Sequence, residues 1–250
     1  MTTLLFRRYE KLRAPLDSID TNTQQLFTLS PEPLDQLLGC LLLPEQVSLL
    51  HGPERAPLTY LAHVIAIAGA GQSKHSYSVF IDSGANYSPK LSRAMCSRGK
   101  ECSEVLSRIV VGSVLSLSDL EQLSENIKSM DDVSIIVLDS LTGVLNLSGA
   151  PGTVGRQREL FHTLEVLRGV VSDLGAHMLM TDHSSRNWSS GRPTPIGGNV
   201  LAHAVDSVVR VDKLDVGKNL IRILIERSTL AFDSDAVILK TGKTGLRKIR

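Results

Sequence analysis

Aromatic side chains are scarce, 4% of the 250 residues. An interior built here has to come mainly from Leu, Val, Ile and Ala, and the 42% apolar content is enough for a sizeable core. Cysteine is nearly missing as well. Cys40, Cys96 and Cys102 are an odd, sparse set without metal-ligand spacing, so neither a disulfide framework nor a metal site is expected, and a reducing intracellular compartment fits. An excess of either charge is lacking: the net is +1, which gives no global argument for a polyanionic partner. No apolar run reaches the roughly 18–20 residues that span a membrane. The first residues lack the apolar segment of a signal peptide, and no repeat or low-complexity tract interrupts the chain.

What is present is an alternation of strand-like and helix-like stretches. Residues 1–25 are polar and mixed and read as an arm, broken at Pro15. Residues 26–250 read as one core. Ser30 is placed to cap a short helix carrying Leu34, Leu37 and Leu38, with Gly39 ending it. Strands are expected at Val47–Leu50, Tyr77–Asp82, Arg108–Gly112, Val133–Asp139 and Ala176–Thr181. Helices are expected around Pro89–Leu106, over Asp119–Met130 and over Arg156–Leu174, whose Leu160, Leu164, Leu167, Val170, Val171 and Leu174 follow helical spacing. This order predicts an α/β fold with a twisted, mainly parallel sheet and helices on both faces. Three further strand-like stretches after Asp206 predict an antiparallel extension.

The chain is organised around Gln46–His63, QVSLLHGPERAPLTYLAH. An apolar strand, a turn and an amphipathic helix from about Leu58 follow one another, which is the context of a phosphate-binding loop of pattern G-x-x-x-x-G-K-[ST]. Here the register gives Gly52, Pro57, Leu58 and Thr59. Pro57 has no N–H to offer a phosphate, Leu58 carries no charge, and Glu54 adds a negative one. Taken alone, the stretch reads equally well as an ordinary strand–turn–helix.

Four further stretches bear on that choice. The apolar strand ending Val137-Leu138-Asp139-Ser140 has a Walker B pattern, whose acid would hold a Mg²⁺ water shell. Gly152-Thr153 and Arg156-Gln157 open a long helix. Thr181-Asp182-His183 ends the next strand. Pro195-Ile196-Gly197-Gly198-Asn199-Val200-Leu201-Ala202-His203 precedes the strand Val208–Val211. In this order and spacing the chain resembles the RadA group of the RecA superfamily, the archaeal and eukaryotic strand-exchange proteins and their paralogs, from about Leu26 to Lys248. The resemblance implies a RecA-like P-loop ATPase core used in homologous recombination and DNA repair. The separate N-terminal DNA-binding domain of RadA has no counterpart here, as in shorter paralogs such as archaeal RadB.

Departures from the family pattern carry as much as the matches. Leu58 stands at the lysine position, and Gly84, in Asp82-Ser83-Gly84-Ala85, stands where the resemblance puts the water-activating glutamate. The polar sensor after the fifth strand is Asp182-His183. These losses lead to the expectation of a degenerate nucleotide site at Gly52, Pro57, Leu58, Thr59 and Asp139, with no catalytic residue and no cofactor unless ATP and Mg²⁺ still bind there. The family's two DNA loops would lie at Leu145–Gly155 and Ser184–Pro195. The second carries Arg186, Trp188 and Arg192, a set suited to stacking and phosphate contact, or a solvated loop with Trp188 packed on the core. Phe6-Arg7-Arg8-Tyr9 lies where recombinases have a Phe-x-x-Ala docking segment, so Phe6 and Tyr9 are the partner-binding candidates beside a frayed terminus. The basic tail KTGKTGLRKIR reads as a DNA contact or a solvated end.

The resemblance therefore implies a non-catalytic paralog acting as mediator or accessory subunit. Its partners would be a RadA-type recombinase or another recombinase paralog, and single-stranded DNA, with no membrane. Its place would be the cytoplasm or nucleoid of an archaeon, or a eukaryotic nucleus. Two alternatives stay open: a divergent but active DNA-dependent ATPase, and an ATPase-dead scaffold subunit unrelated to DNA, like the RecA-like subunits of Elongator.

Overall fold

The run Val133–Asp139 forms β4, where every side chain except the half-buried Ser134 is buried. β4 lies between β5 (His177–Arg186) and β2 (Tyr77–Asp82), and all three run parallel. The computed structural model describes residues 27–96, 101–146, 153–186, 193–215, 217–228, 235–242 and 245–249. Among the described residues ten strands join in the order β10-β9-β8-β7-β1-β5-β4-β2-β3, with β6 (Pro193–Pro195) added on β5.

The most central strand is β1 (Val47–Gly52), parallel to β5 on one side and to β7 (Ser207–Asp215) on the other. Buried on both faces, it reads as a continuous apolar run rather than an alternating one. β3 (Ile109–Ser113) is the edge beyond β2. At the other end β8 (Leu220–Arg227), β9 (Ala236–Gly242) and β10 (Gly245–Lys248) continue from β7 as antiparallel hairpins. The expected mainly parallel sheet with an antiparallel extension is the architecture found.

Two apolar layers cover the sheet. Leu34, Leu38, Leu58, Leu61, Ile65 and Phe80 belong to one, built with α1 (Glu32–Leu38) and α2 (Arg55–Ala70). Leu120, Leu141, Leu164, Leu167, Met180 and Leu201 belong to the other, built with α5 (Leu117–Lys128), α6 (Leu141–Leu145), α7 (Val154–Leu174) and α8 (Gly198–Ala204). α5 opens on a reciprocal cap: the Ser116 hydroxyl accepts from Asp119 N, and the Asp119 carboxylate accepts from Ser116 N. α7 ends at Gly175, whose φ of 60° is the left-handed stop that glycine allows.

Four details differ from expectation. α1 is flanked by Pro31, which gives no side-chain cap, so Ser30 is not the capping residue, and a short 3₁₀ turn, Gly39–Leu41, continues past Gly39. The stretch 89–106 divides into α3 (Pro89–Cys96) and α4 (Cys102–Ser107). α2 starts at Arg55, three residues early, because Pro57 falls in the first turn, where a missing N–H breaks no helical bond. A fourth C-terminal strand, β10, forms from residues that read as tail; it has one apolar anchor, Leu246, and otherwise pairs through backbone with β9.

Candidate functional site

The C-terminal ends of β1, β4 and β5 and the start of α2 converge, the place where open parallel sheets bind ligands. Thr59, in the second turn of α2, donates its hydroxyl to Asp139 Oδ2 at 2.7 Å. Thr181, on β5, donates to Asp139 Oδ1 at 2.6 Å. Asp139 is 1% exposed. Burial pushes its carboxyl above the ordinary range, and the Thr181 and Thr59 hydroxyls, His63 and Arg55 pull back. The fold thus brings Thr59 and Asp139 together, as the sequence pattern required.

The rest of the loop is shaped by packing. A Cβ on Gly52 would lie 2.2 Å from the Val211 carbonyl oxygen of β7, so the close approach of that strand already demands glycine. Pro57 is buried, and Leu58 is 1% exposed within the apolar layer between α2 and the sheet. Only Pro53 and Glu54 lie between β1 and α2. Glu54 stands at the N-cap position of α2 without a side-chain capping bond, at an end where the helix dipole favours negative charge, and its carboxylate pairs with Lys213 Nζ at 3.2 Å. Beside this pair, Ala56, Pro57, Tyr60, Asn219 and Thr241 line a groove of about 360 Å³ between α2 and the antiparallel strands.

The loop after β2 winds around Asp82. Its Oδ1 accepts from Gly84 N and Asn86 N, and its Oδ2 from Tyr87 N. Ser83 Oγ donates to the Ser140 carbonyl at 2.5 Å and accepts from Ser140 N at 2.8 Å. Arg55 reaches across and donates from Nη2 to the Gly84 carbonyl at 2.6 Å. A Cβ on Gly84 would lie 2.4 Å from that nitrogen, so the guanidinium fills the space in which a side chain at 84 would begin.

Midway along β5, opposite His51 of β1, Asp182 is buried. It accepts from the Thr142 hydroxyl and, at 3.0 Å, from Gly197 N; the same hydroxyl accepts from His183 N. Burial raises its carboxyl, against those bonds. Ser184, Ser185 and Arg186 pair antiparallel with Pro195, Thr194 and Pro193, forming the stem of the second loop. Trp188 and Arg192 lie outside the described residues, as do the Arg186 side chain, residues 147–152 of the first loop, and Phe6 and Tyr9 of the arm. Next to Gly52, His51 is fully buried, its Nε2 2.7 Å from Glu226 Oε2 and its Nδ1 2.8 Å from Ser184 Oγ.

Sequence reasoning missed Arg55, Thr181, Thr142 and the Glu54–Lys213 pair. A lone threonine or arginine has no periodic signal, and these four act only through partners on other elements. Among the described residues no three His, Cys, Asp or Glu side chains are placed to hold a metal, and no helix is long and apolar enough to cross a membrane.

With this geometry in place, the Rad51 family profile matches residues 22–244. The chain belongs to the Rad51 family. As a Rad51-family member it is 23% identical over 224 residues to the DNA repair and recombination protein RadB of Pyrococcus horikoshii, covering 88% of this chain and 93% of that protein. The DNA repair and recombination protein RadA of Methanocorpusculum labreanum is 26% identical over 233 residues, 80% of this chain and 69% of the other. A crystal structure of the RadB recombinase shares the fold with a TM-score of 0.73 at 18% identity, over 88% of this chain and 97% of that one.

Proposed function

We propose that this Rad51-family chain acts in DNA repair and homologous recombination as a non-catalytic mediator or accessory subunit of an active recombinase. The observation that carries the reading is Leu58. The family pattern asks for a lysine there to meet the phosphates, and this chain has a leucine packed into the core beneath α2. A triphosphate does not fit this donor set. Pro57 withholds an N–H from the first turn, Glu54 sets a carboxylate at the helix end, and Arg55 lies over Gly84 at the position of the water-activating glutamate. Several losses at points far apart in sequence support a core released from hydrolysis.

The Thr59–Asp139 bond favours the second reading, a divergent ATPase, since that pair is what would hold a Mg²⁺ water shell. Lysines from elsewhere would then have to reach the phosphates, and Lys213 is already held by Glu54. In the first reading the arm 1–25, through Phe6 and Tyr9, docks on the partner, the core 26–250 provides the stacking faces, and Arg186, Trp188 and Arg192 touch single-stranded DNA. The experiment is ATP turnover by the purified protein, together with size-exclusion light scattering of its mixtures with the host recombinase and its paralogs. Absence of turnover with a stable complex is expected. Turnover at recombinase rates that disappears in Asp139→Ala, or no complex with any of them, would overturn the reading.

A further inference from the structure

Two of the three cysteines meet in the fold. Cys96 is the last residue of α3 and Cys102 the first of α4, with five residues between them in the chain. Cys96 Sγ lies 3.7 Å from the Cys102 carbonyl oxygen and donates its weak S–H to it. Both residues are half-buried, so a small solute reaches them from solvent. The two thiols also interact directly. Burial first, then a hydrogen bond to the Cys102 thiol and its charge, push the Cys96 thiol up to about 12. Cys96 is therefore the member of the pair that keeps its proton. Cys40 is exposed on a different element, the 3₁₀ turn Gly39–Leu41.

The surrounding anchors hold this meeting in place. Just before α3, Ser88 N donates to His63 Nε2 of α2 at 3.0 Å, and Ser88 Oγ accepts from Leu91 N at 3.2 Å. Just after α4, Arg108 donates from Nε and Nη2 to the carbonyl of Ala70, the last residue of α2, at 3.1 and 3.0 Å. The outer ends of α3 and α4 are thus both fixed on α2, and their inner ends carry the two sulfurs. An S–H donor makes a poor hydrogen bond, so the contact between Cys96 and Cys102 adds little stability as it stands. Its chemistry is the more distinctive property. In a reducing compartment a neighbouring thiol pair serves transient, redox-sensing disulfides rather than structural ones.

We propose that Cys96 and Cys102 form a reversible redox site, closing to a disulfide that ties α3 to α4 when the surrounding thiol pool is oxidised. The oxidant is a low-molecular-weight disulfide. Cys102 gives up its proton, and its sulfur attacks one sulfur of that molecule. The new bond is a mixed disulfide on Cys102, and the other half leaves as a thiol carrying the proton. Apart from burial, what holds the Cys96 proton comes from Cys102, and its charge is gone once that sulfur is capped. Cys96 then loses its proton and attacks the Cys102 sulfur, expelling the second half as a thiol. Two protein thiols lose two hydrogens and two electrons, and one small disulfide becomes two small thiols.

The test equilibrates the full chain, as Cys40→Ser, with oxidised and reduced glutathione in varied ratio. Samples are quenched in acid, alkylated with a maleimide and weighed by intact mass spectrometry. Both alkylations are expected to be lost together as the ratio rises, leaving a product lighter than the dithiol by two hydrogens. Trypsin cuts after Arg98 and Lys100, so the peptides of Cys96 and Cys102 should appear as one disulfide-linked species. Excess dithiothreitol should restore both alkylations. In Cys96→Ser the reaction should stop at glutathione on Cys102, and in Cys102→Ser the capture of glutathione by Cys96 should be slower than that. The wild type, read at the same two peptides, covers the case of a Cys40→Ser variant that does not fold. Glutathione on both cysteines without the linked peptide, or two free thiols in excess oxidised glutathione, would overturn the proposal. Neither outcome bears on the mediator reading, which is scored by turnover and co-migration.

Discussion

Leu58, at the position where the family pattern has a lysine, does the work of a core residue. Truncating it to alanine should cost about 3 kcal/mol, within the range for buried leucines. Leu58→Lys should cost more, since it adds a cation to the space left in the apolar layer. Denaturant unfolding checks both, and on the non-catalytic reading proposed above Leu58→Lys should not bring turnover, because position 84 is still glycine. A second buried residue contributes to the acid limb of stability. His177 donates its Nδ1–H to the Leu43 carbonyl, 2.8 Å away, and burial lowers its pKa to about 4. The unfolded chain takes up a proton near 6.5, and the folded one resists until about 4. The contribution of His177 should therefore fall by roughly 3 kcal/mol as pH drops across that window, with the raised carboxyls of Asp139 and Asp182 acting in the opposite sense, and His177→Gln should remove that contribution. At this scale the sequence was legible where residue type and position coincide, as at Thr59 and Asp139. It was not legible for Arg55 or Thr181, whose roles come from what the fold places opposite them.

At the level of elements, Asp182 ties three pieces together: the middle of β5, α6 through Thr142, and the turn before α8 through Gly197. Through Gly197 it ties the stem of the second loop to the turn before α8. Asp182→Ala should lower single-strand affinity severalfold and leave the salt slope unchanged, because no phosphate contact is removed; fluorescence anisotropy across salt reads both. A change in slope would mean that the aspartate acts through charge. The elements themselves were largely readable, since buried parallel strands such as Val133–Asp139 announce themselves as apolar runs. β10 did not, having a single buried apolar residue, and the early start of α2 was hidden by a proline that usually marks a boundary.

For the whole molecule, the mediator reading makes a statement about switching. The RecA-superfamily resemblance implies a nucleotide between neighbouring subunits; on the mediator reading proposed above, a core without a working site would lose control of the contact but keep its faces. Affinity for the recombinase should then be the same whether ATP or ADP is supplied to this chain's side, with any dependence coming from the partner's site. Calorimetric titration with a partner unable to bind nucleotide would show it, and a difference of tenfold or more between the two nucleotides would refute it.

The position of β1 also has a consequence for how the chain is made. Its two neighbours come from far downstream: His51 meets Ser184 across 133 residues, and Val47 meets Asp206 across 159. During synthesis at roughly 5–20 residues per second, the central strand waits many seconds with both edges open. Loop closure over such distances is slow, and open strand edges recruit other chains in the meantime. The birth of this protein at the ribosome is therefore its most vulnerable moment. Co-translational chaperone supply, more than the stability of the finished fold, should set how much of it a cell accumulates.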